Sequence, residues 1–204
     1  MIQERYRLSF TAGGLFLRES VDVAALYLDL EDWKKVGQRV AADNLLQART
    51  ISALKRIYLE IASRLKTLSK EELQFLITSS RQDQAYLLWI AACRRYRLIA
   101  DFAIEVLRER FITLRKTLDQ DAFDVFFNRK AEWHSELDQI TPSTKSKLRQ
   151  VLFKILREAD LLTSDKEINP AIPSPALLEL IQRGRREEIL LFPMVQSSPK
   201  GTGR

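Results

Sequence analysis

Ser143, Lys147, Gln150, Lys154 and Arg157 recur at steps of three and four residues, which on a helix brings them into one row. Between Thr141 and Arg157 the chain carries five basic residues and no acidic one. Cations and an amide in such a row do electrostatic chemistry, not covalent chemistry: they neutralise phosphates and release the counterions around a polyanion. Lys145, Lys147, Arg149, Gln150 and Lys154 are therefore the first candidate contacts to duplex DNA. Arg149 and Gln150 alone among them have the fork or amide shape for bidentate base reading. Two further groups lie earlier. Arg49, Lys55 and Arg56 surround a helix start, where free N–H groups favour an anion. Arg94 and Arg95, with Tyr96 and Arg97, lie at the end of another helix, where arginine also simply complements the dipole or serves interior ion pairs. The plain alternative for all of these is solvated surface.

Groups for bond-making chemistry are scarce. His134 is the single histidine, which excludes a two-histidine metal site and a triad with a separate histidine ligand. Cys93 sits in an apolar stretch, the setting of an inert thiol. Gly13-Gly14 lacks the further glycines and the Lys-Ser/Thr of a phosphate loop. The carboxylate pairs Glu71/Glu72 and Glu187/Glu188 read as solvated helix starts. A non-enzyme without cofactor or metal is expected.

The elements that must carry these residues are helical. Leu148, Val151, Leu152, Ile155, Leu156 and Ala159 form an apolar stripe opposite the cations, so Thr141–Leu162 is a helix lying on a core, with Thr141 as cap and Pro142 at the first position. Upstream, the spacing predicts helices over Leu15–Leu28, Glu31–Asn44, from Thr50 to Leu65, and Lys70–Ser79, the last opened by a Ser69/Glu72 capping box. Gly37 inside the second marks close packing against a neighbour. Gln82–Leu118 is helical nearly throughout and should break near Tyr96–Ala100. Residues 121–139 supply one or two helices whose aromatics, Trp133 included, pack beneath the late helix. Glu167–Ile172 is read as a small hairpin, restricted to edge positions by Pro170 and Pro173. Three helices closed by such a hairpin make a winged helix, whose last helix enters the major groove. A short helix over Ala176–Gln182 follows, and Ile189–Phe192 must join a sheet edge or dock on the bundle.

The 204 residues hold 33 Lys and Arg against 27 Asp and Glu, a formal charge of +6, with 46% hydrophobic residues. That is an ordinary soluble composition with a moderate bias towards anionic partners. The opening MIQERYRLSF lacks the features of a secretion signal, and the apolar run Ala85–Cys93 is too short to cross a bilayer and reads as a buried helix segment.

Three stretches carry a family resemblance: NLLQARTISALKRIYLEIASRL at Asn44–Leu65, LLWIAACRRYRLIADFAIEVLRERF at Leu87–Phe111, and KLRQVLFKILREADLL at Lys147–Leu162. With them the chain resembles the BrxA family of the bacterial BREX (bacteriophage exclusion) systems. The resemblance implies a non-enzymatic DNA-binding subunit, bacterial and cytoplasmic, with other BREX proteins as further partners. It also implies a mainly helical chain with a bundle similar to the NusB antitermination factor over residues 1–120 and a winged-helix-like unit over residues 121–195. It brings no catalytic motif. The Ser, Pro, Gly and Lys composition of residues 196–204 predicts a disordered tail. Two other functions stay open: an assembly module docking through Ile189–Phe192, and RNA binding by the bundle, which rests on fold analogy.

Overall fold

In the computed structural model, which describes residues 5–11 and 13–195, the chain is built of helices joined mostly by short connections, with a longer one over 159–174. The expected tail at 196–204 lies outside the described residues. Helices α1 (Leu17–Leu30), α3 (Ile51–Leu65) and α4 (Lys70–Thr78) pack around α5 (Arg81–Arg95), and α2 (Trp33–Ala42) packs on α1 and α3. Their starts follow from side-chain caps. Asp32 accepts from Lys34 and Lys35 N–H, Thr50 from Ala53 N–H and Ser80 from Asp83 N–H, and Ser69 and Glu72 close the capping box. From Ala85 to Cys93 every residue of α5 is buried, so this helix is the axis of the bundle.

The expected break falls at Tyr96, whose backbone is extended between α5 and α6 (Arg97–Phe102). From α6 a π-helical stretch, Ala103–Arg108, runs into α7 (Glu109–Ile112) without interruption, so the first half comprises six helical rods. Gly37 lies against Tyr58, as its position inside α2 suggests: a Cβ there would sit 2.9 Å from the Tyr58 ring.

Helices α8 (Gln120–Ala131), α9 (Ser135–Asp138), α10 (Pro142–Glu158) and α11 (Pro175–Arg183) follow, then a 3₁₀ turn over Arg186–Leu191. Phe123, Phe126 and Phe127 are buried, and Phe102 packs against Phe123, Phe126 and Phe153. Trp133 departs from expectation: it is 75% exposed, and Phe153 of α10 fills the aromatic layer in its place. Helix α10 stops four residues before Leu162 because Asp160 turns left-handed (φ 56°). Leu161 N–H then reaches back to Leu156 C=O and Asp160 N–H to Arg157 C=O.

The hairpin is not formed. Among the described residues there are two isolated antiparallel bridges, Leu162↔Ile168 and Thr117↔Glu167, and no strand. Lys166 and Ile168 bond to the extended Lys116–Leu118 segment while Glu167 and Asn169 bond to Thr163 and Leu161, and Pro170 and Pro173 lack the donors that would continue either pairing. The core is continuous from Tyr6 to Phe192. Trp89 donates its Nε1–H to Leu191 C=O, and Tyr86 meets Phe192 edge-on, so Ile189–Phe192 docks on α5.

Candidate nucleic-acid interface

Helix α10 is held by Leu148, Val151, Leu152, Phe153, Ile155 and Leu156, all buried, which turns Lys147, Gln150, Lys154 and Arg157 to solvent. From Lys147 to Arg157 the row runs ten residue steps, about 15 Å at the rise of a helix. Lys147 donates to Gln150 Oε1 at 2.9 Å. Lys154 lies 3.6 Å from Glu158 and stays 51% exposed. Glu158 itself faces partly inward, accepting the Leu15 N–H. Lys145 and Arg149 point elsewhere. Both reach Asp124 of α8, Lys145 at 3.4 Å and Arg149 in closer contact, and Lys145 also donates to Asn128 and lies over the Phe127 ring. These two cations hold α10 against α8, a partner that lies 25 residues from Arg149 in the chain and that local spacing does not reveal.

Arg94 is not a surface cation. Its side chain is 7% exposed and bridges two carboxylates. Nε and Nη2 donate to Glu188 at 2.6 and 2.8 Å, Nη1 and Nη2 to Glu72 at 2.8 and 2.6 Å, and Nη1 also to Thr67 C=O. Burial pushes the Glu72 carboxyl up, but the Arg94 guanidinium and the Ser69 amide outweigh it and hold the group below its ordinary value. The reading of Arg94 as a phosphate contact is thereby corrected. So is that of Glu72 and Glu188 as solvated, since both are buried in this clamp. Neighbouring Cys93 is buried too, and burial raises its thiol well above the usual range.

Arg95 belongs to a different place, a groove of about 1070 Å³. The N-terminal segment contributes Arg5 and Arg7, the start of α2 Trp33 and Lys34, and the end of α3 Leu59 and Lys66. Arg95 and Arg97 close it at the α5–α6 junction, and no carboxylate lines it. Arg97 is 3.9 Å from Asp101 and 46% exposed.

Alternation builds two of its walls. In the N-terminal segment Tyr6 points inward, its N–H donating to Glu136 at 2.7 Å and its hydroxyl to Asp101 at 2.5 Å, so Arg5 and Arg7 flank it outward. At the helix break Tyr96 is likewise buried, donating its hydroxyl to Glu60, with Arg95 and Arg97 either side. The tripeptide Arg-Tyr-Arg at 5–7 and again at 95–97 is the sequence signal for this groove. Arg5, Arg7, Lys34, Lys66 and Arg97 stand outside the candidate set because their segments lie far apart in the chain. Trp33 stacks on Tyr27 at 4.1 Å, with Lys66 Nζ 5.5 Å from its ring. Arg49, Lys55 and Arg56 are exposed around the Thr50 cap, form no ion pair among the described residues, and do not line the groove.

Among the described residues no cluster of His, Cys, Asp and Glu could hold a metal, and no helix is long and apolar enough to cross a membrane. Residues 4–184 match the BrxA family model. The chain is 27% identical over 157 residues to the BREX protein BrxA of Escherichia coli O9:H4 (strain HS), covering 77% of this chain and 74% of that one. Against the BREX protein BrxA of Paramagnetospirillum magneticum (strain AMB-1) the identity is 26% over 166 residues, covering 81% and 83%. The fold is also that of a crystal structure of an uncharacterised protein from Magnetospirillum magneticum, with TM-score 0.79 and 22% identity over 95% of this chain and all of the other.

Proposed function

We propose, since the chain belongs to the BrxA family, that it serves BREX phage defence as a non-enzymatic component that grips duplex DNA through phosphates with little sequence preference. One observation carries this reading: the outward row of Lys147, Gln150, Lys154 and Arg157, three cations with one ion pair, Lys154 to Glu158, on an α10 that packs its other sides on the core and on α8. In this reading α10 acts as the recognition helix of a winged-helix-like unit over residues 121–195. The bridged turn at Leu162–Ile168 takes the place of a wing, and residues 1–120 form a NusB-like bundle. The setting is the bacterial cytoplasm, with other BREX proteins as partners.

Three cations on phosphates give a slope of log affinity on log salt of about −3 for duplex DNA. The test is fluorescence anisotropy with a labelled duplex across a salt series, for the parent and for K147E/K154E/R157E. The expected result is at least a hundredfold loss with the helical circular dichroism intact. Unchanged affinity removes α10 from the interface and overturns the reading. The assembly-module alternative loses its named surface, because Leu191 and Phe192 are buried against α5.

A further inference from the structure

We propose that the groove between the N-terminal segment, α2, α3 and the α5–α6 junction is a separate binding site for the phosphates of a nucleotide, held free or as an unpaired strand. Three observations converge on it. Its wall carries Arg5, Arg7, Lys34, Lys66, Arg95 and Arg97 with no carboxylate among its lining residues. Arg97 is the one of the six with a carboxylate in reach among the described residues, Asp101 at 3.9 Å; the remaining cations repel one another, and an anion relieves that repulsion.

The second observation is an unmet donor. Arg95 Nε is buried and has no hydrogen-bond partner, while the guanidinium lies 5.7 Å from the Tyr96 ring centre. Arg108 Nε is also buried without a partner, but Arg108 does not line the groove, whereas Arg94 is supplied by Glu72, Glu188 and the Thr67 carbonyl and Arg64 by Glu60 and the Gly14 carbonyl. A buried charged donor left unpaired is costly, and a phosphate oxygen would supply the acceptor that Arg95 Nε lacks.

The third is an apolar ledge among the charges. Leu59 is 56% exposed, and Ala62, Ala100 and the half-buried Tyr58 also line the groove. Inorganic phosphate has no use for such a surface, whereas the sugar and base of a nucleotide do. Trp33 is not a stacking platform, because Tyr27 covers it and Lys66 Nζ lies over its ring. The volume is on the scale of a small-molecule pocket, not of the broad face that a duplex demands.

This site stands whether or not α10 binds duplex DNA. The test is calorimetry on the full chain with three probes: ATP in excess chelator, inorganic tripolyphosphate and a hexathymidylate strand. The variants are R7E/R97E at the exposed rim, R95Q at the unmet donor, and the α10 triple variant as control. Binding of ATP or of the strand should weaken at least tenfold in R7E/R97E and R95Q and stay unchanged in the α10 variant. Preference for ATP identifies free nucleotide as the occupant, and preference for the strand identifies unpaired nucleic acid. Tripolyphosphate binding as tightly as both overturns the assignment of the apolar ledge. Absence of binding by every probe at 1 mM, or equal binding by the parent and both groove variants when both remain folded, overturns the site. Loss of duplex affinity in the α10 variant alone would leave this result untouched, so the two proposals fail separately.

Discussion

Replacing Arg94 by alanine removes the one cation between Glu72 and Glu188 and leaves both carboxylates under cover. The three side chains are 7–10% exposed, so water does not substitute for the lost guanidinium. Breaking a buried pair by deleting one partner costs about 3–5 kcal/mol, most of it from the uncompensated charge left behind. Here two carboxylates lose their guanidinium, Glu72 keeping the Ser69 amide and Glu188 only the exposed Arg185 at 3.9 Å, which places R94A at the upper end. For a chain of this size each kcal/mol lowers Tm by about 2–4 °C, so a fall of roughly 10–20 °C is expected. R94K keeps the charge but cannot fork to both acids, and should recover only part of the loss. In R94M/E72Q/E188Q no charge remains to be stranded, and Tm should rise well above that of R94A. Thermal unfolding followed at 222 nm by circular dichroism reads all three. If R94A unfolds within 2 °C of the parent, the clamp is not structural. If it also loses duplex affinity, the cation is reaching a phosphate after all.

Two further outcomes follow from the packing and the titrations. Gly37→Ala should destabilise by about 1 kcal/mol despite the better helix propensity of alanine. The new Cβ lies 2.9 Å from a Tyr58 ring that cannot swing away, because its hydroxyl donates to Trp33 C=O at 2.6 Å; a higher urea midpoint would refute the tight fit. Glu72 and Glu136 both titrate below their ordinary value in the fold, in each case because hydrogen bonds to the carboxylate outweigh burial. Their contribution is complete above the unfolded-state carboxylate range and drains away as pH falls through it. Tm should therefore drop below about pH 4, less steeply in E72Q, and an identical acid limb for E72Q would show that Glu72 has no part in it.

Local patterns in the chain went far towards the fold. Thr50, Ser69 and Thr141 cap where hydroxyl chemistry says they should, and the break expected after α5 begins at Tyr96. What local pattern could not reveal were pairings between distant segments. Nothing near Arg94 indicates that Glu188, 94 residues on, folds back onto it, and the same holds for Asp124 beneath Arg149. The groove was hidden for the same reason, since Arg7 and Arg97 meet only through the tertiary fold. The hairpin was misjudged because two prolines within four residues limit the segment to isolated bridges. Helical period showed that Lys147 and Lys154 point away from the core, and it put Glu158 one turn beyond Lys154, where it lies 3.6 Å away.

Trp89 lies midway along the chain's most deeply enclosed helix, and the carbonyl that satisfies its indole belongs to Leu191. A nascent chain emerging from the ribosome would thus make every rod of the first half well before the residue that seals them. Until Phe192 arrives, the early helices would expose an open apolar seam, and a chaperone holding that seam would have to let go only after synthesis is nearly done.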